Sequence, residues 1–241
     1  FPGRVILGVG SGESLNEVPL GAQWPAPKER LARLRESIKL IRLLWTQERV
    51  DFDGEFYKTV SATIYDRPEV PVPIYIGASG PLATRYAGQE GDGYITTSGK
   101  APSLYTDTLI PAVTEGARRS GRELSDIDML MEVKVSFDHD HERAMNDTHF
   151  WGALALSPEE KTGVEDPMEM QRLADALPVE RTASRFIVST DPDEHVARIQ
   201  GYIDLGFNHL VFHAPGPDQT RFLEVYGKEI LPRLRSANPA S

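Results

Sequence analysis

Short apolar runs of strand length alternate along this chain with longer stretches of helical spacing, and no other feature limits its fold as much. Residues 5–10, 73–76, 94–97, 129–137 and 209–213 read as strands. Between them, residues 28–46 set Leu31, Leu34, Ile38, Ile41 and Trp45 at three- and four-residue steps, with Arg and Glu on the other face, which predicts an amphipathic helix. Further helices are predicted over about residues 103–119 and 219–234, and from Pro192 to about Leu205. Pro81, Pro158 and Pro192 stand where a first helical turn tolerates proline. Ser157-Pro158-Glu159-Glu160 has capping-box spacing, and Asp191-Pro192-Asp193-Glu194 repeats the device. Strand–helix alternation of this kind implies parallel βαβ units and an α/β fold.

The order fits either an open doubly wound sheet or a (β/α)8 barrel. Glu13, Ser79-Gly80 and Thr97 with Lys100 all fall just after strand C-terminal ends, where the loops of a barrel build its active site, and this favours the barrel. The chain would supply about the last five strands of eight. The other three would precede Phe1, in keeping with an opening, Phe1-Pro2-Gly3-Arg4, that runs at once into a strand without a leader. The 241 residues are expected to form a single domain, 1–241, decorated by an excursion at about 47–70 with a hairpin around Asp53-Gly54.

Composition narrows the chemistry. A formal charge of −10 opposes binding to nucleic acid or to an anionic membrane, so any anion site must be a local concentration of cations. The absence of Cys excludes disulfides, cysteine nucleophiles and thiolate metal sites. No apolar run reaches the roughly 20 residues of a membrane-spanning helix.

Gly8-Val9-Gly10-Ser11-Gly12 lacks the last glycine of a dinucleotide fingerprint, because Glu13 stands in its place. It reads instead as a loop whose bare backbone admits a flat ring or a phosphate, with Glu13 beside it either as a solvated loop acid or as a working carboxylate. Gly77-Ala78-Ser79-Gly80 offers small residues and free N–H groups at a helix start, which suits a tight turn or a cofactor tail. Thr97-Ser98-Gly99-Lys100 joins a hydroxyl, bare backbone and a cation without the P-loop frame. Taken singly, Lys161 and Arg185 are ordinary helix-surface cations, and Asp138-His139-Asp140-His141-Glu142 is a solvated turn rather than a metal site. Glu132, Lys134 and Ser136 share one face of their strand and need water or partners.

The run from Arg4 to Glu17, Arg30 to Ser37, Tyr86-Ala87-Gly88, Gly91-Asp92-Gly93, Thr97 to Lys100 and Asn208 to Gly216 together resemble the F420-dependent glucose-6-phosphate dehydrogenases of the luciferase-like (β/α)8 superfamily. The resemblance covers essentially the whole chain. It implies a cytoplasmic, homodimeric oxidoreductase that uses coenzyme F420, an 8-hydroxy-5-deazaflavin, to oxidise glucose 6-phosphate to the lactone, with no metal. Matched position by position, Glu13 is the acid/base group. Ser11, Gly12, Asn16, Ser79, Gly80, Leu82 and Ala83 contact the deazaflavin, and Thr97, Lys100, Lys161 and Arg185 hold the substrate phosphate. The family's catalytic histidine and its neighbouring aspartate fall in the segment that would precede Phe1. Another flavin or deazaflavin oxidoreductase or monooxygenase of the superfamily is the alternative, and a non-catalytic anion-binding barrel fragment is the alternative of another class.

Overall fold

The computed structural model describes residues 3–237, so Phe1 and Pro2 of the opening run lie outside the described residues. The chain groups into two compact units. The first comprises the residues up to Tyr94 together with Leu109–Ile127. It holds strand β1 (Leu7–Val9), the short helix α1 (Ser14–Glu17), helix α2 (Pro27–Thr46), the antiparallel pair β2 (Val50–Asp53) and β3 (Lys58–Ala62), strand β4 (Ile74–Gly77), helix α3 (Pro81–Glu90) and, after the chain has left through β5 (Gly93–Thr97) and returned, helix α4 (Ile110–Arg119). Strand β1 pairs in parallel with β4, Leu7 opposite Ile74 and Val9 opposite Ile76, so the loops after both strands leave side by side. The predicted helix and hairpin stand where the periodicity put them. Helix α2 buries Leu34 and Ile38, and its Glu36 carboxylate accepts the backbone N–H groups of Glu55, Phe56 and Tyr57, clamping the turn between β2 and β3.

Helices α3 and α4 cross with backbone against backbone. A Cβ on Gly88 would come within 2.0 Å of the Val113 carbonyl oxygen, and one on Gly116 within 2.0 Å of the Arg85 carbonyl oxygen. Alanine is the better helix former by about 1 kcal/mol, whereas overpacking a closed contact costs about 1–3 kcal/mol, and a carbonyl can yield only if the whole helix moves. Gly88→Ala is therefore expected to lower the thermal midpoint, and an unchanged or raised midpoint would show that the helices part freely.

The second unit comprises Ile95–Thr108 and the residues from Asp128 onward. Strand β6 (Asp128–Phe137) is followed by helices α5 (His141–Asp147), α6 (Pro158–Lys161), α7 (Pro167–Asp175) and α8 (Val179–Ala183), strand β7 (Ile187–Ser189), helix α9 (Pro192–Asp204), strand β8 (His209–His213) and helices α10 (Gln219–Val225) and α11 (Leu231–Ala237). Strand β6 pairs in parallel with β8 along Leu130–Lys134 and with β7 along Val135–Phe137, and its Met131, Val133 and Val135 are fully buried. The end of β5 lies beside it, with Ser98 N donating to the Glu132 carbonyl at 2.9 Å.

Two predicted helices are interrupted. Residues 104–109 and 226–230 form π turns, and each is followed by an α segment whose second residue is proline, Pro111 and Pro232. A proline inside a helix lacks the N–H and crowds the carbonyl one turn back, and a widened turn relieves that crowding. The two capping signatures also differ. Ser157 and Glu160 form a reciprocal box, whereas Asp191 accepts from Asp193 N at 2.9 Å and the Glu194 carboxylate turns instead to the Ser189 hydroxyl at 2.6 Å. Among the described residues no helix is long and apolar enough to cross a membrane.

Candidate active site

In the first unit the loop after β1 turns sharply at Gly12, whose φ is +83° and whose Cβ, if present, would meet the Glu17 carboxylate at 1.7 Å. The positive φ strains any side chain placed there and favours glycine. Glu13 is the N-cap residue of α1, yet its carboxylate makes no cap bond. Its carbonyl accepts from Asn16 N and Glu17 N at 3.1 Å, and its exposed carboxylate accepts from Asn16 Nδ2 at 3.3 Å. Glu13 and Asn16 are thus brought together. A cleft of about 260 Å³ beside this loop is lined by Gly10, Ser11, Gly12, Glu17, Arg30 and Ser37, among others.

The neighbouring loop after β4 carries exposed Ser79, and Gly80 caps α3 with Pro81 in its first turn. Thr84 N already donates to the Gly80 carbonyl. Pro81 has no N–H, so the helix start offers the N–H groups of Leu82 and Ala83, which have no carbonyl one turn back. The Leu82 side chain is largely exposed.

The predicted anion residues all lie in the second unit. Thr97 ends β5, and Gly99 (φ +73°) packs so closely on Arg185 that a Cβ would stand 2.2 Å from the Arg185 carbonyl oxygen. That approach draws the Thr97-to-Lys100 turn onto the segment between α8 and β7. Burial holds the Lys100 ammonium below the usual lysine pKa, and the charges of Arg185 and Lys161 add to the effect. Lys161 and Arg185, 61 and 85 residues further along the sequence, therefore both act on Lys100. The Arg185 Nε is buried without a hydrogen-bond partner, a donor aimed at nothing in the protein.

Four residues beyond the predicted anion set belong to the same cluster. Lys134, 3% exposed, donates from Nζ to Thr97 Oγ1 and stands 3.7 Å from Glu132 Oε2. Burial lowers its pKa, Glu132 opposes that, and Arg185 and Lys100 reinforce it. His213 Nδ1 donates to Glu132 Oε1 at 2.6 Å, and that bond outweighs burial to hold the Glu132 carboxyl below its usual range. Trp151, half exposed, meets the His213 ring edge-to-face with centroids 4.6 Å apart. The period of two had placed Glu132 and Lys134 on one face, but nothing in the spacing named their partners. With Lys100, Lys134, Lys161 and Arg185 set against Glu132, the cluster is a positive site in an acidic chain.

The acidic and histidine-bearing run is used elsewhere. Asp140 caps α5 through Glu142 N and Arg143 N, His139 pairs with Glu229 at 3.0 Å, and among the described residues no group of His, Cys, Asp or Glu could hold a metal ion.

Residues 1–209 match the luciferase-like monooxygenase family. Curated relatives include an F420-dependent glucose-6-phosphate dehydrogenase of Nakamurella multipartita, 70% identical over 236 residues that span 98% of this chain and 70% of the relative. Another, of Beutenbergia cavernae, is 65% identical over 235 residues with the same coverage. Among solved structures, an F420-dependent secondary alcohol dehydrogenase in complex with an F420-acetone adduct superposes with a TM-score of 0.88 at 31% identity, covering 98% of this chain and 71% of that one.

Proposed function

The chain belongs to the luciferase-like monooxygenase family, in the branch of the F420-dependent glucose-6-phosphate dehydrogenases, and from that premise we propose that it oxidises glucose 6-phosphate to 6-phosphogluconolactone with coenzyme F420. The observation that most supports the reading is the packing of Gly99 on Arg185 with Lys100 under the charges of Arg185 and Lys161, a local excess of positive charge that suits a sugar phosphate and that an uncharged substrate would not need.

The residues of the first unit fit a deazaflavin. Bare backbone at Gly10 and Gly80 leaves room for a flat ring, and nothing stands within 4 Å of a Cβ built on Gly80. Ser11, Asn16 and Ser79 supply polar side chains, Leu82 an apolar one, and the N–H groups of Leu82 and Ala83 suit an anionic tail. When bound, the deazaflavin supplies the acceptor at C5 for the hydride that leaves sugar C1. The Glu13 carboxylate exchanges the proton that this oxidation displaces, as its exposed position and single weak partner allow. The cations hold the C6 phosphate, so binding energy at one end of the sugar orients C1 at the other.

The test is loss of oxidised-deazaflavin absorbance on adding glucose 6-phosphate. Turnover with the phosphorylated sugar supports the reading, and turnover only with other reductants or with oxygen overturns it. Lys100 adds a pH signature. Because burial and two cations depress its pKa, its charge is present below that value and is lost as pH rises through it, earlier than for an ordinary lysine. The apparent KM for glucose 6-phosphate is expected to climb with rising pH before an ordinary lysine would lose its charge, and Lys100→Arg should move that rise to higher pH.

A further inference from the structure

Lys134 takes no part in the reading above, yet its placement demands an account. A buried ammonium adds little to stability that a well-packed apolar side chain would not, so its use on β6 points to a task beyond folding. An ammonium has three donors and no acceptor, so its contact with Thr97 has one polarity only: Nζ–H donates and Oγ1 accepts. The hydroxyl proton must then point away from Lys134. Its present acceptor is the Ser98 carbonyl at 3.2 Å, long for a bond between oxygens. Lys100 and Arg185, whose charges act on Lys134, also offer only donors. Glu132, bonded to His213 at 2.6 Å, stands 3.7 Å from the ammonium as its counter-charge.

We propose that Lys134 is a positioning residue that makes the Thr97 hydroxyl a dedicated hydrogen-bond donor to a phosphate oxygen, and so helps the site to prefer a phosphorylated sugar over the free one. The inference rests on the phosphate reading of the Lys100, Lys161 and Arg185 cluster. Lys134 acts through Thr97 and need not touch the substrate. Its effect therefore disappears when the Thr97 hydroxyl is absent, which a purely structural lysine would not do.

The experiment is a double-mutant cycle in the full-length enzyme with Lys134→Met, Thr97→Val and the pair, reading KM and kcat for glucose 6-phosphate and competitive inhibition by inorganic phosphate. Each single substitution is expected to raise KM and the phosphate inhibition constant about ten-fold, the scale of one charge-assisted hydrogen bond, with the loss falling on KM rather than kcat. The pair should lose no more than either single variant, and Thr97→Ser, which keeps the hydroxyl, should lose markedly less than Thr97→Val. Multiplied losses in the pair, or equal losses with unphosphorylated glucose, overturn the proposal. Should Lys134→Met lose its cooperative melt, Lys134→Gln enters the same cycle and is judged by the same rule. Lys100→Ala and Lys161→Ala are measured alongside. If they leave KM unmoved, the phosphate reading falls and takes this inference with it, and if they raise KM while the Lys134 variants do not, this inference falls alone.

Discussion

Glu13→Gln in the full-length enzyme is expected to lower turnover of glucose 6-phosphate by roughly 100-fold or more, with deazaflavin affinity changed far less. The substitution is a clean one. The Glu13 carbonyl, not its carboxylate, receives the first turn of α1, and a glutamine oxygen can still accept from Asn16 Nδ2. Shape and local fold are kept while the acid/base group is removed. Steady-state rates across pH check this, and a variant as fast as its parent throughout would make Glu13 a solvated loop acid.

The second large effect concerns the cations. Lys161→Ala or Arg185→Ala is expected to raise the apparent KM for glucose 6-phosphate by roughly 10- to 100-fold, since a charge-assisted hydrogen bond is worth about 1.5–3 kcal/mol and about 1.4 kcal/mol is tenfold. The −10 chain repels a dianion at long range, so recognition depends on the local excess of positive charge. Arg185 brings a buried Nε that lacks a partner within the protein, a group expected to gain most from an arriving anion. Unphosphorylated glucose is the control: its turnover should barely respond. Equal losses for both sugars would mean that the cations act through folding or cofactor binding.

Much of the local structure was legible because the signals are local. Strand β8 runs His209–His213 as its apolar run predicts, and Pro81, Pro158 and Pro192 mark true helix starts. Strand β7 escaped notice because Ile187-Val188-Ser189 is too short to display a period. Both π turns were missed for the opposite reason: helical spacing continues smoothly through Pro111 and Pro232, and only the missing N–H reveals the break. At the site, residue types at strand ends pointed to Glu13, Ser79 and Thr97. The union of Lys100, Lys161 and Arg185 came from the family resemblance alone, because three cations on separate segments carry no spacing signal. Lys134 shows the same limit within one strand. Its face could be read from the period, but its bond to Thr97, 37 residues away, is a product of β5 lying beside β6.

The paired glycines of α3 and α4 have a dynamic meaning. Each helix offers the other a bare stretch of backbone at one height only, Gly88 against Val113 and Gly116 against Arg85. Sliding either helix by one turn would bring side chains into those gaps, so the ratcheting motion by which many packed helices change state is closed to this pair. The two helices should instead open and close together. In native-state hydrogen exchange their central amides should share a single opening free energy, as one cooperative element rather than two.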